Sequence, residues 1–174
     1  ANGTYGVGVL EIDETYAGRT RPILVRAATT GGVTFDGQGS SSAMVLFRNG
    51  AHDQTWQGFK FGNRRPTYSV IHFGEGSGVP THHITLRDIE FLSTINGQPG
   101  QLDHGIHFSW ANAGGNHDIL IDGFVSSADV WSQVHVYHDE GSGPGFNITV
   151  KNATWALGNR PGAVHGVAFY NTKA

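Results

Sequence analysis

The sequence is that of a small, weakly acidic chain without cysteine. It has 174 residues, a formal net charge of −3 and only 14% charged residues. This length predicts a single domain over residues 1–174, and 38% hydrophobic residues exclude a disordered chain. The absence of cysteine excludes disulfides and thiolate metal sites. Without a basic cluster, the charge balance predicts no nucleic-acid partner. No apolar run approaches the roughly 18 residues of a membrane helix, so no membrane partner is expected.

Short alternating runs of apolar residues occur along the whole chain. Runs rich in Val, Ile, Phe and Thr are separated by Gly, Asn, Asp and Pro, and glycine alone accounts for 26 residues. No long stretch repeats apolar residues at helical spacing. Alternation between turn residues is typical of strands, so the sequence predicts an all-β fold.

Four segments share one arrangement of apolar and polar positions. They are "QTWQGFKF" from Gln54, "ITLRDIEF" from Ile84, "ILIDGFVS" from Ile119 and "ITVKNATW" from Ile148. The fifth position always holds a residue type that accepts left-handed backbone: Gly58, Asp88, Gly123 or Asn152. Each segment is therefore predicted to contain two short strands joined by a single bend residue.

A second group of segments alternates with the first. It consists of "MVLF" from Met44, "VIHF" from Val70, "GIHF" from Gly105, "QVHV" from Gln133 and "GVAF" from Gly166. Their starts lie 26 to 35 residues apart, which fits a repeat of three short strands with loops of variable length. Stacked repeats of this kind bury a continuous apolar core.

Alignment of this second group places three histidines at the same position. His72, His107 and His135 each stand between two apolar residues, so alternation points them away from the core. Stacked coils lie about 4.8 Å apart, which predicts a vertical row of histidines on one outer face. Leu46 and Ala168 hold the matching positions in the flanking repeats, so the row is confined to the middle.

From about Val7 to Tyr170, repeats such as "ITLRDIEF" and "FNITVKNATW" resemble those of the pectate-lyase-like superfamily. The resemblance implies a right-handed parallel β-helix of about six coils. The sequence has neither an amphipathic N-terminal capping helix nor a clear cap after "GVAFYNTKA". We therefore expect a piece of a longer chain, or a chain capped by loops or a partner. The alternative is an antiparallel sandwich or jelly roll, but that fold predicts closely spaced hairpin turns.

The resemblance also implies a substrate groove along the outer face that carries the histidine row. It implies a secreted or periplasmic protein that acts on an acidic polysaccharide as a lyase or C5-epimerase. The predicted catalytic residues are His107, His135, Tyr137 and His72. His107 or His135 would be the base and Tyr137 the acid, because these side chains move protons near neutral pH.

Nine further residues near this face or in adjoining loops are predicted to bind the substrate. They are Trp110, Glu75, His138, Asp139, Arg64, Arg65, Asp103, His104 and Arg160. An arginine offers a bidentate contact to a sugar carboxylate, and a tryptophan can stack on a sugar ring. His82 and His83 precede a strand and are interpreted as turn residues.

Several functional alternatives stay open at this point. The chain could be a non-catalytic glycan-binding or structural module of the adhesin or tailspike type. It could also be a glycoside hydrolase, which requires a pair of carboxyl groups. Zinc or calcium is open as a cofactor, but no ligand spacing of a known type occurs, so no residue is assigned to a metal. Signatures of alginate epimerases and polygalacturonases are absent, and no single activity is assigned.

Overall fold

The computed structural model describes residues 2–13, 21–40, 43–74, 79–97, 103–109, 115–138, 146–156 and 165–171. Within these ranges the regular secondary structure consists of short strands. In chain order they are β1 (Gly3–Gly6), β2 (Leu10–Ile12), β3 (Ile23–Arg26), β4 (Val33–Asp36), β5 (Val45–Phe47), β6 (His52–Gln57), β7 (Phe59–Gly62), β8 (Ser69–Phe73), β9 (His82–Arg87), β10 (Glu90–Phe91), β11 (His104–Phe108), β12 (His117–Asp122), β13 (Val125–Ser126), β14 (Ser132–His138), β15 (Phe146–Lys151), β16 (Thr154–Trp155) and β17 (His165–Asn171).

Successive strands contribute in turn to three sheets. The first sheet has the order β1-β4-β7-β10-β13-β16, the second β2-β5-β8-β11-β14-β17, and the third β3-β6-β9-β12-β15. Within each sheet, neighbouring strands are three places apart in the chain and pair in parallel. This arrangement confirms the predicted parallel β-solenoid. The solenoid has about four turns, slightly fewer than the six predicted. Right-handed winding and the single-domain assignment stay predictions.

The bend between the third and first sheets follows the predicted pattern. Gly58, Asp88, Gly123 and Asn152 all have positive φ, between 51° and 80°. Each residue lies between the end of one strand and the start of the next. Left-handed backbone at these points turns the chain from the third sheet into the first, as the residue types indicate.

The core is a stack of like residues from successive coils. Phe47, Phe73 and Phe108 are fully buried, and their rings stack at centroid distances of 4.8 Å and 4.6 Å. Parallel pairing in register is the reason, because it places equivalent residues of neighbouring strands above one another. The second sheet therefore has one face fixed firmly against the core.

The last strand of the second sheet is less covered. Phe169 in β17 is 77% exposed, although its register partner Val136 in β14 is buried. The expectation that further chain or a partner caps the solenoid stays a prediction.

Candidate functional site

The three aligned histidines lie in register on adjacent strands of the second sheet. His107 in β11 is opposite His72 in β8 on one side and His135 in β14 on the other. Leu46 pairs with His72, and Ala168 pairs with His135. The predicted row and its two limits are therefore confirmed.

These histidines are nevertheless buried. The exposed fraction is 2% for His72, 1% for His107 and 6% for His135. Their neighbours Ile71 and Phe73 belong to the hydrophobic core, so the imidazoles lie on the opposite face of the sheet and are covered there. Alternation predicts the face on which a side chain lies, but not what covers that face. The histidines therefore lie on the predicted outer face but are buried there, and the substrate groove stays a prediction.

His104 joins the three histidines, although it lies three residues before His107 on the same strand. Strict alternation would place these two residues on opposite faces, yet their rings stack 4.8 Å apart at 16°. The strand departs from alternation at Gly105, where a Cβ atom would lie 2.6 Å from the carbonyl oxygen of Gln133 and 3.0 Å from the core ring of Phe91. Gly105 thus faces inward, as Ile106 does. We call His72, His104, His107 and His135 the second-sheet histidine cluster.

Hydrogen bonds connect the cluster to a residue at the surface. The hydroxyl of Tyr68 lies 2.9 Å from His107 Nε2, and His107 Nδ1 lies 2.9 Å from His135 Nδ1. Tyr68 is 43% exposed. In the facing Nδ1 pair one nitrogen donates its proton and the other accepts it, since a neutral imidazole carries one of each. His135 Nε2 is buried without a hydrogen-bond partner.

Two serines hold the remaining histidines. The Ser109 hydroxyl donates to the carbonyl oxygen of Gly74 at 2.5 Å, so its oxygen accepts from His72 Nε2 at 2.9 Å. His104 Nδ1 lies 2.7 Å from the Ser132 hydroxyl. Each of these rings therefore has one nitrogen fixed by a hydroxyl.

The environment keeps all four imidazoles neutral at pH 7. Burial lowers the pKa of His72 and His135 to about 4 and that of His104 to about 3. Burial also lowers the pKa of His107. Neighbouring imidazoles add to the effect at His104 and His107, because a charge on one ring disfavours protonation of the next. Neutral imidazoles can exchange protons or bind a metal.

Three of the cluster's histidines also meet a simple geometric requirement for a metal. One ring nitrogen of each of His104, His107 and His135 lies within 4.8 Å of the others. This group combines His107 and His135 of the predicted row with His104, which was predicted near the same face.

The other predicted site residues have different surroundings. Tyr137 is half-buried, with its ring 6.2 Å from that of His135 and 6.5 Å from that of His107. Asp103 is buried, and its Oδ1 accepts a hydrogen bond from the backbone of Trp131 at 2.9 Å. These residues lie beside the cluster.

The predicted arginines divide into a buried and an exposed residue. Arg64 is only 1% exposed, and none of its guanidinium nitrogens has a hydrogen-bond partner. Burial lowers its pKa to about 10. Arg65 is exposed and is the better placed of the two to meet a ligand from solvent.

Four of the predicted site residues fall in segments that the structure does not describe. Glu75, Trp110, Asp139 and Arg160 lie outside the described residues. His138 is in β14, but its side chain is outside the described part.

Sequence reasoning missed the residues that hold the cluster. Tyr68, Ser109, Ser132 and Trp131 were not predicted as site residues. The Trp131 ring meets that of His104 edge-on at 5.5 Å. A signal was present for Ser132, because the spacing Ser132-x-x-His135 repeats that of Ser69-x-x-His72 and of the two histidines in β11.

A second set of histidines lies on the third sheet. His52, His82 and His117 are half-buried, and their rings stack 5.0 Å apart at 3° and 4°. We call them the third-sheet histidine stack. His83 follows His82 with φ of 53°, as expected of a turn residue, although both histidines lie at the start of β9.

No family model, curated protein or solved structure matches the chain. The parallel solenoid is shown by the structure, whereas the resemblance to the pectate-lyase-like superfamily stays a prediction from the sequence repeats. The described residues contain no helix long and apolar enough to cross a bilayer.

Proposed function

We propose that the chain is a pectate-lyase-like, secreted or periplasmic β-solenoid that acts on an acidic polysaccharide as a lyase or C5-epimerase. The proposed site is the outer face of the second sheet around Tyr68. The observation that supports it most is the hydrogen bond between the exposed Tyr68 hydroxyl and the buried His107. A polymer can reach Tyr68 but not the buried His107, and this hydrogen bond connects the two.

In either reaction a base removes the proton beside the sugar carboxylate. Tyr68 is the proposed group at the substrate: its oxygen takes the proton from the sugar carbon while its own hydroxyl proton passes along the hydrogen bond to His107 Nε2. His107 holds the hydroxyl at 2.9 Å, and His135 holds His107 from the other side. A bound uronate would favour proton uptake by His107, since a nearby negative charge raises the pKa of an imidazole.

Two further residues complete the proposed site. Tyr137 lies beside both histidines and is the proposed acid that protonates the leaving oxygen in a lyase. Arg65 is exposed and is the proposed contact for the sugar carboxylate, for which a guanidinium is well shaped.

The burial of the cluster favours a second candidate function. Histidines that are 1% to 6% exposed cannot themselves contact a sugar, which is the arrangement expected of a non-catalytic glycan-binding or structural solenoid. In that case the cluster stabilises the second sheet, and the exposed Tyr68 contacts the glycan without chemistry.

One set of assays distinguishes the two candidates. The protein is incubated with alginate, pectin and glycosaminoglycans. Unsaturated products are followed by ultraviolet absorbance, and epimerisation is followed by proton exchange with deuterated solvent. We expect turnover that is lost in Tyr68→Phe and kept in Tyr5→Phe, since Tyr5 is similarly exposed but lies on the first sheet.

The outcomes separate clearly. Glycan binding without product or exchange would replace the enzymatic proposal with the second candidate. Neither binding nor turnover on any of these polymers would overturn the enzymatic proposal and the glycan-binding role, and would leave the structural role.

A further inference from the structure

We propose that His104, His107 and His135 form a binding site for a zinc-type transition-metal ion. The three residues come from two adjacent coils, and a ring nitrogen of each lies within 4.8 Å of the others. This inference does not depend on the proposed polysaccharide chemistry, because metal binding is measured without a substrate.

The spacing is close to that of a three-histidine metal site. Zinc–nitrogen bonds of about 2.0–2.1 Å in a tetrahedron place the ligand nitrogens roughly 3.4 Å apart. His107 Nδ1 and His135 Nδ1 are already 2.9 Å apart. The rings of His104 and His135 stack at 4.0 Å, and the ligand nitrogens of all three histidines lie within 4.8 Å of one another. The parallel pairing of β11 and β14 holds the backbone of all three ligands in place.

Outer hydrogen bonds leave one nitrogen of two rings for the ion. His104 Nδ1 is held by the Ser132 hydroxyl, so its Nε2 is the proposed ligand atom. His107 Nε2 is held by Tyr68, so its Nδ1 is the proposed ligand atom. Metal-binding histidines usually have such a partner on their second nitrogen, which fixes the tautomer and the ring orientation.

The third ring provides an independent indication of a ligand. His135 Nε2 is buried and has no hydrogen-bond partner, and the residue as a whole is only 6% exposed. A buried polar atom without a partner is costly. Either nitrogen of His135 can be the ligand atom in the proposed site. Binding at Nδ1 would displace the proton that this atom shares with His107 Nδ1.

The donor set narrows the class of ion. Three imidazoles suit zinc, cobalt, nickel or copper, whereas calcium and magnesium prefer oxygen ligands. Three protein ligands also leave a fourth position for water or another ligand. His72 is not included, because the described group whose ligand nitrogens lie within 4.8 Å of one another consists of His104, His107 and His135.

The third-sheet histidine stack supplies a matched control. It also contains three histidines in register, but their Nδ1 atoms are held by the next residue: Asp53 at 2.8 Å, His83 at 2.6 Å and Asp118 at 2.8 Å. These half-buried histidines can still be reached from solvent, so a loss of metal binding in a variant of this stack would indicate non-specific binding.

The test uses the full chain without an affinity tag, after dialysis against a chelator. Cobalt is added while visible absorption is recorded, and zinc binding is measured by calorimetry. We expect one ion per chain, with the intense visible bands of four-coordinate cobalt. Affinity should fall at least about tenfold in His104→Ala and in His135→Ala, and should not change in His82→Ala. His135→Ala has a natural counterpart, since Ala168 holds the matching position in the next coil.

Absence of a cobalt spectrum, or an equal loss of affinity in His82→Ala, would overturn the proposal. Circular dichroism shows whether each variant folds. X-ray absorption of the zinc-loaded wild-type chain gives an answer without any variant: three imidazole ligands support the site, and a shell of oxygen ligands alone contradicts it. Metal binding without polysaccharide turnover would leave this site standing while the proposed enzymatic function fails.

Discussion

The two sets of histidines in this solenoid arise from the same register but differ in their surroundings. In the third-sheet histidine stack, half-buried imidazoles lie face to face, and His52 and His117 donate to carboxylates. In the second-sheet histidine cluster, the imidazoles are buried and bond to hydroxyls or to one another. Register therefore decides which histidines meet, and the covering of the face decides their chemistry.

The partners of the two sets explain the difference further. The hydrogen bond from His52 lowers the pKa of Asp53, and that from His117 lowers the pKa of Asp118. Such a hydrogen bond favours the ionised form of the carboxylate. In the second-sheet histidine cluster, the hydrogen bonds described above go to hydroxyls or to other imidazoles, and burial lowers the pKa of its members because it disfavours their charged form. The cluster is therefore suited to neutral-imidazole chemistry at pH 7.

The largest expected effect is a loss of stability in acid. The pKa of His72 is about 4 in the folded chain and about 6.5 when unfolded. The unfolded state therefore binds more protons between these values, so the free energy of unfolding is fully retained above pH 6.5 and falls as pH drops towards 4. His72 alone contributes a loss on the order of 3 kcal/mol. Denaturant unfolding at several pH values, with chelator present, measures it.

The matched variant for this effect is His72→Leu, which copies Leu46 at the equivalent position. Proton uptake on unfolding in this window should fall by about one proton. An unchanged pH dependence in the variant would show that His72 is not a buried neutral group.

Gly105→Ala should lower the free energy of unfolding by a smaller amount. It should also disturb the irregular backbone that brings His104 to the cluster. The new methyl group would meet the carbonyl oxygen of Gln133 at 2.6 Å, and such overpacking typically costs about 1–3 kcal/mol. Thermal and denaturant unfolding report the change. Gly8→Ala is the control, because a Cβ atom there meets nothing within 4 Å. Equal stability of the two variants would contradict the inward position of Gly105.

The smallest effect is expected beside the third-sheet histidine stack. His83 has φ of 53° and is exposed. Asn tolerates left-handed backbone better than most residues, so His83→Asn should raise the free energy of unfolding by up to about 1 kcal/mol. Asn147 has the equivalent conformation, with φ of 54°, and Asn147→His should change stability in the opposite direction. A shift of the same sign in both variants would refute this explanation.

Much of the fold could be predicted because stacked coils repeat local patterns. The bend residues Gly58 and Asp88, the Phe73–Phe108 stack and the histidine row all followed from aligned segments. The burial of the row did not follow, because the covering of an outer face depends on contacts between residues distant in sequence. Tyr68, for example, meets His107 from 39 positions earlier in the chain.

The position of His104 shows a second limit of sequence reasoning. Alternation is a reliable guide only while a strand is regular, and Gly105 and Ile106 both face inward. A glycine between two histidines could have suggested such a departure. His104 was predicted near the histidine face, and the structure shows the irregular backbone at Gly105 that places it there.

The central claim is that the second-sheet histidine cluster is buried and neutral. Nitrogen-15 NMR of the imidazoles, recorded from about pH 8 to about pH 5 in the presence of chelator, tests it most directly. We predict that the signals of His72, His104, His107 and His135 keep the shifts of neutral rings throughout, because burial lowers their pKa values. Protonation of these rings with midpoints near about 6.5, the value of an unperturbed histidine, would contradict the claim.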